Sequence, residues 1–117
     1  MINKPTVAIM QPYFLPYLGY FQLINAVDKF VIYDNIQFVK KGWINRNRIL
    51  VNARDEFITI PLKKDSDYLD IDRRQLADTF KEDGEKMLRR IKESYRKAPY
   101  FEKVFPLTED LFEYKGE

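Results

Sequence analysis

TVAIMQPYFLPYLGYFQLINAVDKFVIYD, Thr6 to Asp34, changes its hydrophobic period twice. Thr6 to Met10 is a short unbroken apolar run, the pattern of a strand buried on both faces in an α/β sheet. Pro12 forbids its simple continuation. From Pro16 the spacing turns helical, with Tyr17, Tyr20, Phe21, Ile24 and Val27 on one face and Gln22, Asn25 and Lys29 on another. Pro16 suits the first helical position, where its missing N–H is no loss. Lys29 to Asp34 is β-rich again. Strand, helix and strand in that order predict a right-handed parallel crossover, a βαβ unit.

Outward from this unit, Asn35 to Arg48 is too polar for a buried strand and too patterned for a linker. RILV and EFITIPL follow, separated by Asn52 to Asp55, and predict a β-hairpin. Lys63 to Asp67 reads as a solvated loop. The clearest helix starts at Thr79 and Glu82, in capping-box spacing, and is stopped by Pro99. Met87, Leu88, Ile91, Tyr95 and Ala98 form its apolar stripe, Glu85 to Arg89 and Glu93 to Lys97 support it as i,i+4 pairs, and Gly84 weakens it slightly. A last amphipathic stretch, Leu107 to Tyr114, stops at Lys115-Gly116-Glu117. The expected fold class is α/β: a βαβ-containing, mostly parallel sheet, then a β-hairpin and C-terminal helices.

Composition narrows the chemistry. A chain of 117 residues with 45% hydrophobic content suits one compact domain. Twenty basic and eighteen acidic residues leave a net charge of +2, far from the cationic stripe that nucleic acid requires. There is no cysteine and no histidine. Disulfides, thiolate nucleophiles and the commonest general base are therefore excluded, and proton transfer falls to Asp, Glu, Tyr or Lys. No acidic cluster has the spacing of a metal site. No apolar run approaches the roughly 20 residues of a membrane span, and the start MINKPTVAIM lacks a signal-peptide core, so a cytoplasmic location is expected.

Two segments carry candidate function. In an open α/β sheet, ligands sit beyond the carboxyl ends of the strands, where the loop from Gln11 to Pro16 feeds a helix N-terminus. That terminus favours phosphate or carboxylate. Gln11, Tyr13, Tyr17, Gly19 and Tyr20 are candidate ligand contacts here, Gly19 because a ligand or strand can approach its backbone closely. The competing reading makes Tyr13, Phe14, Tyr17, Tyr20 and Phe21 core aromatics. The second segment, Asp34 to Arg48, begins at the end of the next strand and so on the same rim. If Trp43 to Arg48 is extended, Trp43, Asn45 and Asn47 share one side, and Ile44, Arg46 and Arg48 the other. Lys40, Lys41, Arg46 and Arg48 could clamp an anion, while Gln37, Asn45 and Asn47 could orient hydroxyls or amides. A solvated edge strand with protective charges is the alternative. Asp34, Gln37 and Arg46 are the candidate catalytic residues, Asp34 as the acid for proton transfer unless it only forms a turn.

The runs VAIMQPYFLPYLGYFQLI and DKFVIYDNIQFVKKGWINRNRIL, with SYRKAPYF at Ser94 to Phe101, closely resemble the WbqC-like protein family over nearly the whole chain. The resemblance implies a role tied to bacterial surface-polysaccharide (O-antigen) biosynthesis, as a transferase of glycine, another amino acid or an acyl group onto a sugar. Members of about twice this length imply that this chain is an N-terminal half. A more distant similarity to nucleotidylyltransferases of the HxGH class implies a Rossmann-like sheet. Tyr17-Leu18-Gly19-Tyr20 stands where those enzymes carry two histidines, and Ile36-Gln37-Phe38 where some bind the acceptor. Tyrosine carries no positive charge near neutral pH, so transition-state charge would fall to Lys or Arg.

Three functions follow as expectations. The first is a transferase for a nucleotide- or phosphate-bearing small molecule. The second is a non-catalytic nucleotide- or sugar-nucleotide-binding module. The third, a single-stranded nucleic-acid binder, is disfavoured by the balanced charge. No cofactor is assigned, and exposed apolar surface would favour a homodimer.

Overall fold

The computed structural model describes residues 3–115. The chain gathers into two compact units, Met1–Asn47 with Lys63–Gln75, and Arg48–Leu62 with Leu76–Glu117. The expected stop at Gly116 and Glu117 lies outside the described residues.

The first unit contains the expected βαβ element: β1 (Val7–Met10), α1 (Leu18–Ala26) and β2 (Lys29–Ile32). The strands are parallel, with Val7 opposite Lys29 and Met10 opposite Ile32. Thr6 and Asp28 lock the start of this register. The Asp28 carboxylate accepts from the Thr6 amide at 2.8 Å and hydroxyl at 3.2 Å, and the Thr6 carbonyl accepts from the amides of Asp28 and Lys29. At the other end the Tyr33 amide donates to the Met10 carbonyl at 2.8 Å.

Tyr20 is the centre of this unit, only 6% exposed. Its ring meets Phe30 edge-on at 5.4 Å and Tyr13 at 5.7 Å, and its hydroxyl donates to the Gln11 carbonyl at 2.8 Å. A buried Tyr hydroxyl needs such an acceptor.

Several expectations change here. The strand is not buried on both faces, for Val7 and Ile9 are exposed, Ile9 at 63%. The reason is topological: the parallel pair is two-stranded, and Val7, Ile9 and Val31 share the face turned from α1's buried tyrosine, where period 2 puts every second residue. Pro16 is not the first helical residue, since Tyr17 is the N-cap and the helix starts at Leu18. Tyr17 and Phe21 do not pack the helix onto the sheet; both are exposed.

After β2 the chain runs beside the returning segment from Leu69 to Asp72. The amides of Ile71 and Asp72 donate to the carbonyls of Ile36 and Asp34 at 2.8 and 2.9 Å, and the Phe38 amide donates to Leu69 at 3.1 Å. Gln37 and Asp70 pair antiparallel within this ladder. It buries Phe38, the second core side chain of the unit, with the Arg74 guanidinium 4.9 Å over its ring.

The second unit holds most of the hairpin β3 (Arg46–Val51) and β4 (Arg54–Thr59), then α2 (Phe80–Tyr95) and α3 (Phe101–Glu113). The hairpin turn is narrower than expected. Only Asn52 and Ala53 lie between the strands, with φ of 51° and 62°. Two positive φ values mark the type I′ turn that matches strand twist, and Ala53 bears the left-handed penalty of about 1–2 kcal/mol there.

Ile58 of β4 and Met87 of α2 are buried. The Tyr95 hydroxyl accepts from the Leu50 amide at 2.8 Å, and Arg90 pairs with Glu56, tying α2 to the hairpin. Thr79 does mark the start of α2 but makes no side-chain cap, because it already has helical φ and ψ. The helix ends at Tyr95, ahead of Pro99 and of Ala98.

α3 begins six residues before the expected Leu107, after Tyr100 turns the chain with a φ of 65°. Pro106 inside it forfeits one helical hydrogen bond. Gly84 has a packing role in addition to its helix penalty: a Cβ there would stand 3.3 Å from Phe112, whose ring stacks on Phe80. Among the described residues no helix is long and apolar enough to cross a membrane.

Candidate functional site

The loop from Gln11 to Tyr17 leaves the carboxyl end of β1 and enters α1, and the structure ties it to the strip that precedes β3. The Phe14 amide is shared between the carbonyls of Trp43 and Ile44, at 3.2 and 3.1 Å. In return Asn47 Nδ2 donates to the carbonyls of Phe14 at 3.0 Å and Leu15 at 2.7 Å. The opening loop and the Trp43–Asn47 part of the second segment therefore form one rim of the first unit.

The strip is not an extended strand throughout. Gly42 to Asn45 bend, and β3 starts only at Arg46, so the expected alternation of Trp43, Asn45 and Asn47 against Ile44, Arg46 and Arg48 holds only from Arg46. The bend is held by Arg46, whose Nε donates to the Gly42 carbonyl at 3.0 Å and whose Nη2 donates to the Lys41 carbonyl. Its guanidinium lies 5.8 Å from the Trp43 ring centre. Arg46, expected to clamp a ligand, is thus turned onto the loop's own carbonyls, and Asn47, expected as a ligand contact, onto those of the opening loop. Both residue types suit a carbonyl as well as they suit a ligand.

On the helix side, Leu18 and Gly19 occupy the first positions of α1, whose amides have no intrahelical partner. Gly19 has a local steric reason: a Cβ would stand 2.6 Å from the ring edge of Tyr17, which lies over it. Tyr17 is 65% exposed and Trp43 is also exposed, so both rings are presented to solvent. Tyr20 is part of the core. Burial, and then the neighbouring Tyr13, push its phenol above the ordinary range. Gln11 is half-buried, with its side-chain carbonyl 3.5 Å from the Tyr13 hydroxyl, and Asn45 is half-buried in the bend.

The remaining candidates line the ladder after β2. Gln37 donates its side-chain amide to the Asp67 carbonyl at 3.0 Å. Lys40 pairs with the Asp67 carboxylate, which is held below the usual carboxylate range by Lys40 first and by Arg74 less. The linkage sign is that of a depressed acid: the pair supports folding above the ordinary Asp range and loses that support as pH falls through the folded value. Both side chains are exposed, which leaves the pair open to screening by salt. Asp34 is half-buried, and its carbonyl accepts from the Asp72 amide.

Lys41 is exposed, with a φ of 61°, and its ammonium has no ion-pair partner among the described residues. Arg48 belongs to the second unit, where it pairs with Asp55 at 3.2 Å and lies over Phe57. Among the described residues no three His, Cys, Asp or Glu side chains gather as a metal would need.

Sequence reasoning missed Asp67 and Arg74. Arg74 donates to the carbonyls of Ser66 and Leu69 at 2.8 and 3.2 Å, and its buried Nε has no partner. The only local signal was the Arg73-Arg74 pair closing an acidic stretch.

The model of the WbqC-like protein family matches residues 11–117, almost the whole chain and the whole of this rim. The chain belongs to the WbqC-like family. A relative within reach of this WbqC-like chain is "Uncharacterized protein Rv1507c" of Mycobacterium tuberculosis (strain ATCC 25618 / H37Rv), 47% identical over 57 residues. That match takes in 49% of this chain and 25% of the relative, so it compares only part of each protein. No solved structure gives a significant match.

Proposed function

We propose that the rim holds the charged group of an activated small-molecule donor, and that the protein is a group-transfer enzyme acting on surface-polysaccharide sugars. The observation that supports this best is the mutual tie between the opening loop and the Trp43–Asn47 strip. It puts a helix N-terminus, two exposed aromatic rings and a basic bend on one unit, at the strand end where α/β folds bind ligands. Phosphate or carboxylate would sit against the amides of Leu18 and Gly19, with the Lys41 ammonium as its counter-charge.

Asp34 would take the proton from an acceptor hydroxyl or amine as it attacks the donor's transferred group, with Asn45 orienting that acceptor. The bond from that group to the donor's phosphate breaks as the new one forms, and the phosphate leaves onto the Leu18 and Gly19 amides and the Lys41 ammonium. Amino-acid or acyl transfer onto a sugar fits this arrangement, because positioning and electrostatics carry the rate where no activated nucleophile is present. A nucleotide-linked donor fits the βαβ element.

A non-catalytic module that binds a sugar nucleotide is the second reading. The commitment of Gln37 and Arg46 to backbone carbonyls favours it, since fewer polar groups remain for the acceptor.

A titration of the full chain with UDP-glucose, inorganic pyrophosphate and free amino acids, read by thermal unfolding, tests the site. A ligand at about 100 times its Kd stabilises by about 2.7 kcal/mol. Lys41→Ala is expected to weaken that binding about tenfold or more, the worth of one charged hydrogen bond. Equal affinity in the variant would reject the assignment. Turnover of a bound donor separates the enzyme from the module.

A further inference from the structure

We infer that Arg46 and Asn47 act as a two-sided clamp, each holding one strained backbone residue in the left-handed region. Among the described residues, five other than glycine have positive φ, and two of them stand in the rim: Leu15 at 45° and Lys41 at 61°. Left-handed backbone is unfavourable for any L side chain. For Leu15 it is more so, because the residue before a proline is steered toward extended conformations and Pro16 follows.

Such residues persist only where their surroundings over-determine them. The carbonyl of Leu15 accepts from Asn47 Nδ2 and the carbonyl of Lys41 accepts from Arg46 Nη2. Each bond has a second strand: Asn47 also holds the Phe14 carbonyl, and Arg46 also holds that of Gly42. Two neighbouring residues at the start of β3 therefore grip the two loops of the rim, one each. Arg46 and Asn47 are positioning residues, and their effect on any ligand passes through the loops they hold. The clamp stands whether or not the rim takes the anion proposed above.

Glycine adopts positive φ without penalty, which makes the pairing testable by rescue. Asn47→Ala and Arg46→Met should each lower the thermal midpoint of the full chain by about 4 °C. Leu15→Gly should restore more of the loss in Asn47→Ala than its own single shift accounts for, and Lys41→Gly likewise in Arg46→Met. The crossed pairs, Lys41→Gly with Asn47→Ala and Leu15→Gly with Arg46→Met, should show only the sum of their single shifts.

Trp43, the only tryptophan, reports the loop directly. Its acrylamide quenching should rise in Arg46→Met and fall back on adding Lys41→Gly. Rescue that is absent, or equal in matched and crossed pairs, overturns the clamp, as does unchanged Trp43 quenching in Arg46→Met. Lys41→Gly alone should raise the midpoint, and a fall of several degrees would show that the left-handed residue is not strained.

Discussion

Tyr20→Ala is expected to cost about 3–5 kcal/mol, the range for deleting a buried aromatic side chain. The residue combines three contacts that no neighbour can replace: the edge of Phe30, the ring of Tyr13, and the Gln11 carbonyl. Tyr20→Phe separates them. It keeps both ring contacts, removes only the hydroxyl donor from a partly buried carbonyl, and is expected to cost about 1 kcal/mol. Urea unfolding checks both, as a fall in the midpoint at constant slope.

The same phenol supplies a pH dependence. Its raised folded value means that its contribution is fully present below the unfolded tyrosine pKa of about 10 and is lost as pH rises through the folded value. Part of the alkaline loss of stability should disappear in Tyr20→Phe. An alanine variant as stable as the parent would remove Tyr20 from the core and with it the account of how the Gln11 loop is held.

Ile58→Ala should be nearly as damaging, by about 2–5 kcal/mol, and Ile58→Val by about 0.5–1.5 kcal/mol. Ile58 is 2% exposed on β4, so truncation leaves a cavity instead of a water-filled notch. Ile9→Ala is the matched control, the same residue type on an exposed sheet face, and should stay within about 0.5 kcal/mol. Equal effects at the two positions would mean that the Ile9 face is covered in solution.

The βαβ element was legible because its three parts differ in period and are separated by proline or polar residues. Thr6 to Met10 and Lys29 to Asp34 had no competing reading. Which aromatic would be buried was not legible, since Tyr17, Tyr20 and Phe21 share the same spacing. Tertiary neighbours decided it: only Tyr20 stands between Phe30 and the Gln11 carbonyl.

The pairing of Leu69–Asp72 with Asp34–Phe38 is non-local and was hidden by the charge of the returning segment. Thr79 has the right neighbours for a capping box, and the backbone angle at which the chain enters α2 excludes the bond. At the rim, the location was readable and the roles were not. Arg46 and Asn47 offer the same donors to a ligand and to a carbonyl, and only the positions of Leu15, Lys41 and Gly42 tell them apart.

The central claim, that the opening loop and the Lys41–Asn47 strip form one ligand-holding rim, is tested most directly by amide NMR. The full chain would be titrated with UDP-glucose and with inorganic pyrophosphate, following every assigned backbone N–H. The largest shifts are expected to fall together on Leu18 and Gly19 and on Lys41 to Ile44. Shifts confined to residues 76–115, or to one of the two segments alone, would contradict it.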